Sequence, residues 1–122
     1  MNKKLLENLV KTSSELRAKL MWKHYNRRKV YERVVKHLAL KLALALDIEE
    51  AVELVKEKLP GYSYPIERDS NYELLKKIRF RYQWEDIDFQ RASKLIRKFT
   101  GIPEPYMLLA EFLLRDNGVT PY

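Results

Sequence analysis

Apolar side chains recur at helical spacing along most of the chain. Leu5, Leu6, Leu9, Val10, Leu16 and Leu20 predict a helix that begins near Lys3. Thr12 followed by Glu15 has the form of a capping box, so this stretch reads as one helix or as a short helix with a second from near Ser13. Further on, Val30, Val34, Leu38 and Leu42 recur every four residues, with Tyr31, Val35, Ala39 and Ala43 beside them. That is the broad stripe of a core-facing helix. Lys29, Arg33, Lys36, His37 and Lys41 are expected on its other side, facing water or a ligand. Residues 38–46 are nearly all apolar and are expected to be deeply buried. Asn26 is the weak point of the long segment 16–46 and a place for a bend.

The remaining elements follow from their start and stop signals. Asp47-Ile48-Glu49-Glu50 opens a helix that runs through Ala51, Leu54 and Val55 to Leu59, and Pro60-Gly61 ends it. Residues 62–71 are rich in turn formers and read as the longest loop. A further helix from Asn71 or Tyr72 places Leu74, Leu75, Ile78 and Tyr82 inward. The acidic run Glu85-Asp86-Ile87-Asp88 starts another helix over 88–99, which Thr100-Gly101 closes. Pro103 sits in the first turn of the last helix, which ends at Asp116 before Asn117-Gly118. Strand-like alternation is not sustained anywhere. The expected architecture is all-α: a single compact bundle of five or six helices forming one domain over residues 1–122, with a long basic N-terminal helix or helix pair.

Charge changes this picture by its placement. The net charge is +7, but residues 1–46 hold twelve bases against three acids, residues 47–59 two against five, and residues 60–122 ten against nine. The excess is an N-terminal property, which points to a polyanionic partner. It centres on the stretch from Arg17 to Lys41, where nine Lys or Arg residues meet one acid, Glu32. Trp22, Tyr25 and Tyr31 lie in the same stretch, with both histidines. Cations interleaved with aromatics suit nucleic acid, because the cations meet phosphates while the rings offer stacking surfaces. Lys23, Arg27, Arg28, Lys29, Arg33 and Lys36 are the main candidates, with Tyr25 to stack. Lys76, Lys77, Arg79 and Arg81, with Tyr82, form a second basic patch. Such a surface would bind DNA or RNA with little sequence selectivity, as a structural or accessory subunit of a nucleoprotein complex. A solvated basic face is the alternative reading of these residues. A second function is a helical scaffold or adaptor, in which the apolar stretch from Tyr106 to Leu114 joins a protein partner or a second copy.

Other chemistry finds little support. Cysteine is absent, and two histidines thirteen residues apart make no zinc site. Glu85, Asp86 and Asp88 are explained by a helix start without a metal. No phosphate-cradling glycine motif occurs. No catalysis, cofactor or metal is therefore expected. Glu7 and Lys11 interrupt any secretory signal, and no apolar run approaches a membrane span, so a cytoplasmic protein without membrane contact is expected. Abundant Lys, Arg, Glu and Tyr, with three Gly and no Cys, give a thermophile-like composition.

Four resemblances bear on function. Thr100-Gly101-Ile102-Pro103, the helix after it with Ala110 and Leu114 inward, and Gly118-Val119 resemble the helix-turn-helix half of winged-helix regulators. That resemblance implies recognition of a DNA major groove by residues 103–115. The chain departs from it where bases would be read: the outward positions would include Leu108, Leu109, Phe112 and Leu113, and only Arg115 is suited to a groove. Arg17 and His24, seven apart, resemble the Arg-and-His signature of HEPN ribonucleases, which implies metal-free RNA cleavage. Ala18 stands where that family carries a polar residue. In size, charge and class the chain resembles the small helical subunits of CRISPR effector complexes and the helical accessory domains of archaeal replication proteins.

Overall fold

A computed structural model of the chain describes residues 3–23, 26–65 and 102–121. Within them lie four α-helices and no strand: α1 (Lys3–Lys23), α2 (Arg27–Ala45), α3 (Ile48–Lys58) and α4 (Glu104–Asp116). The two helices expected between Asn71 and Phe99, and the second basic patch with them, lie outside the described residues. The described part is all-helical, as expected.

α1 is continuous. Thr12 does not cap a second helix; its hydroxyl donates to the carbonyl of Asn8, one turn back, at 2.8 Å. Ser, Thr and Asn cap only where the backbone leaves the helix, and here it does not. Leu9, Val10, Ser13 and Leu20 form the buried side of α1. The break falls at Asn26 instead. Its backbone is extended, and its side-chain oxygen accepts from the Lys29 amide at 3.1 Å, which caps α2. The N-terminal basic region is thus a helix pair.

α2 packs against both α1 and α4, and α4 also packs against α3. Val30, Val34, Val35, Leu38, Leu42 and Ala43 fill the space between them. The expected burial holds at Leu38, Ala39, Leu40, Leu42, Ala43 and Leu46, while Ala45 is half-buried. Asp47 precedes α3 as its cap residue, its carbonyl accepting from the Ala51 amide at 3.1 Å, and α3 buries Ile48, Ala51, Val52 and Val55.

α4 is the central element. Tyr106, Leu109, Ala110 and Leu114 are buried in the core, and the Tyr106 hydroxyl donates to the Leu46 carbonyl at the end of α2, at 2.8 Å. Pro103 precedes α4 as its cap residue, and Pro105 occupies the first turn, where a missing amide costs nothing. At the other end Gly118 has φ +78°. The Val119 amide reaches the Leu114 carbonyl at 2.9 Å and the Gly118 amide reaches Arg115 at 3.0 Å. This double bond pattern needs a left-handed residue, which glycine supplies at least cost, and it turns Val119 back into the core. Two polar contacts tie the rim: Lys58 Nζ to Asp116 Oδ2 at 3.0 Å, and the Tyr62 hydroxyl to Glu104 Oε1 at 2.9 Å. Burial and Glu104 together push the Tyr62 phenol above its ordinary range.

Candidate nucleic-acid interface

The candidate surface is built on α2. Its first turn holds Arg27, Arg28 and Lys29 and no acid. Three cations at the positive end of a helix dipole oppose the local field, so this arrangement does not serve the helix. Lys29, Arg33 and Lys36 then continue along one face at spacings of four and three residues, which stacks them one turn above another. All five side chains are exposed, as is Glu32. None of the five has an ion-pair partner among the described residues; the pairs Lys56–Glu53, at 3.4 Å, and Lys58–Asp116 lie on α3 and α4. α2 is 19 residues long, and Val30, Val34, Val35 and Leu38 anchor its other side. The cations therefore sit on a helix fixed by the core.

Two residues expected on that face are elsewhere. His37 is 3% exposed and Lys41 8% exposed. The reason is helical drift. A repeat of four advances 40° per step at 3.6 residues per turn, so the stripe through Val30, Val34, Leu38 and Leu42 winds around the helix. His37 and Lys41 follow Val30 and Val34 by seven residues, nearly two full turns, and share their faces. Burial, reinforced by the nearby charge of Lys41, lowers the His37 pKa to about 4. Burial also lowers the Lys41 pKa. Neither residue belongs to the exposed basic face.

The other candidates divide simply. Lys23 ends α1, but its side chain is outside the description, as are Tyr25, Lys76, Lys77, Arg79, Arg81 and Tyr82. Arg17 is half-buried on α1, and His24, its companion in the HEPN-like pair, is outside the described residues. α4 does not present a reading face. Leu109 is buried, while Leu108, Phe112 and Leu113 pack against the core, leaving Glu104, Glu111, Arg115 and Asp116 exposed.

A feature not anticipated from the sequence lies one turn along α2 from Arg27 and Arg28, on the core-facing side of the helix. A cleft of about 250 Å³ opens between α2 and the end of α4, lined by Tyr31, Glu111, Phe112, Arg115 and Thr120 among others. The Arg115 guanidinium lies over the Phe112 ring, 5.0 Å from its centre. Partial burial and the Glu111 carboxylate raise the pKa of the Tyr31 phenol, while Arg115 opposes that shift. No signal within α2 alone could reveal this cleft, because its walls come from opposite ends of the chain.

Among the described residues there is no group of three or more His, Cys, Asp or Glu arranged to hold a metal ion. No described helix is long and apolar enough to cross a membrane. No protein-family model matches the chain, and no curated protein and no solved structure matches it either.

Proposed function

We propose that this chain is a non-catalytic nucleic-acid-binding protein that holds the phosphate backbone on α2, with little sequence selectivity, as an accessory subunit of a cytoplasmic nucleoprotein complex. One observation carries the reading. Arg27, Arg28, Lys29, Arg33 and Lys36 are exposed and without acidic partners among the described residues, on a helix held by the core. Charges placed against a helix dipole cost stability, and a polyanion offsets that cost when it binds. Contacts of this kind fix position along a strand and carry no sequence information. Lys76, Lys77, Arg79 and Arg81 with Tyr82, which lie outside the described residues, are proposed from the sequence as further contacts to the same kind of ligand.

The test is fluorescence anisotropy with labelled single- and double-stranded DNA and RNA, using wild type and Arg27→Gln/Arg28→Gln/Lys29→Gln. Retention at low salt that falls in the triple variant supports the proposal. No binding at low salt refutes it and favours a scaffold that self-associates through the stretch from Tyr106 to Leu114. That alternative has less apolar surface to draw on, since Tyr106, Leu109, Ala110 and Leu114 are already buried within the chain.

A further inference from the structure

We infer that the cleft between α2 and α4 receives one unpaired nucleobase of the bound strand, which makes the protein a binder of single strands; this rests on the proposed phosphate-binding role of α2.

Four observations converge on it. The first is position. Arg27 and Arg28 lie four and three residues before Tyr31, so they sit one turn above it on the same side of α2. A strand whose phosphates meet those two arginines has its bases at the mouth of the cleft. The second is size. At about 250 Å³ the cleft is below the roughly 300–1,000 Å³ of sites for drug-sized ligands, and it suits a single planar ring system.

The third is the wall. Tyr31 and Phe112 are both half-buried, so their rings are fixed by the core while part of each remains accessible. Aromatic side chains of this kind are stacking platforms for bases of any sequence. Arg115, already against Phe112, adds a cation that a neighbouring phosphate can meet.

The fourth observation decides which end of a nucleotide enters. Glu111 lines the cleft and is exposed. Its carboxylate repels a phosphate but accepts hydrogen bonds from exocyclic amines and ring N–H groups of bases. The Tyr31 phenol, protonated at neutral pH like any tyrosine, adds a hydrogen-bond donor. The base therefore points in and the phosphate stays out, on Arg27, Arg28 and Arg115. A duplex cannot offer this without extruding a base, at the cost of a pairing and a stacking step.

The experiment compares a single strand with a duplex of the same length at one salt concentration. It adds single strands carrying one 2-aminopurine, or a run of abasic sites, and the variant Phe112→Leu. The inference expects wild type to bind the single strand at least about tenfold more tightly than the duplex, as stacking one base implies. It expects quenching of 2-aminopurine on binding, and affinity for the abasic strand falling toward the duplex value. Phe112→Leu should lose the single-strand preference while keeping its affinity for duplex and its salt dependence. Equal affinity for both strands, with no quenching, overturns the inference and leaves the phosphate-binding proposal standing. Absence of binding to every oligomer overturns both. Phe112 also contacts the core, so circular dichroism accompanies the variant; if it unfolds, the quenching and abasic measurements on wild type decide alone.

Discussion

Tyr106→Phe isolates the contact that joins the end of the basic helix to the centre of the core. The substitution keeps the ring, which is fully buried, and removes only the hydroxyl that donates to Leu46 O at 2.8 Å. No cavity of note is left, so the loss is one hydrogen bond, with a net value of about 0.5–1.5 kcal/mol. For a chain of 122 residues this lowers Tm by roughly 2–7 °C. Tyr106→Ala also removes the ring and should cost about 3–5 kcal/mol, a large share of the roughly 5–15 kcal/mol that a domain of this size has. Thermal unfolding followed by circular dichroism separates the two. Leu46 lies about 28 Å along α2 from Arg27, at 1.5 Å per residue. Nucleic-acid affinity well below Tm should therefore be unchanged in Tyr106→Phe. Equal destabilisation by Phe and Ala would refute the hydrogen-bond reasoning, and so would a Tm for Tyr106→Phe within a degree of wild type.

His37 and Lys41 give two more predictions. The folded protein holds His37 neutral down to about pH 4, whereas the unfolded chain protonates it near 6.5. The unfolded state binds the extra proton in that window, so stability is complete above about pH 6.5 and falls as pH drops toward 4, by at most roughly 3 kcal/mol. Denaturant titrations across that range should show the slope, and His37→Gln should flatten it. Lys41 is buried and has no ion-pair partner among the described residues, so Lys41→Met, an unbranched apolar side chain one atom shorter, should raise Tm by a few degrees; a fall in Tm would mean the ammonium is well accommodated.

The helices were legible where a signal is local. Asn26, Asp47, Pro60-Gly61 and Asn117-Gly118 each mark a terminus through their own backbone preference, and each lies within three residues of a helix end in the structure. The five cations of α2 were legible too, since exposure of Arg and Lys at the start of a helix needs no partner element. One reading failed, and one open alternative was decided, for geometric reasons. Counting in fours treated a winding stripe as a straight face and put His37 and Lys41 in water. Thr12 and Glu15 have the composition of a cap, but composition does not say whether the backbone breaks, and apolar packing of Leu9 and Val10 before them and Leu20 after them holds α1 in one piece. The cleft at Tyr31 was invisible for a third reason: Phe112 and Arg115 reach it only through the packing of α4 on α2, a contact that no local pattern encodes.

The measurement that bears most directly on the central claim is the slope of log affinity against log salt concentration, for wild type and for Arg27→Gln/Arg28→Gln/Lys29→Gln. Five phosphate contacts predict a slope of up to about −3.5 on single strands or −4.5 on duplex, and three lost charges should reduce its magnitude by roughly 2–3. The triple variant should keep or raise its Tm, because it relieves cations at the positive end of α2 while Asn26 still caps the Lys29 amide. A shallower slope with undiminished stability is the predicted result. An unchanged slope, or a loss of binding that merely follows unfolding, would contradict the assignment of α2 as the phosphate-binding surface.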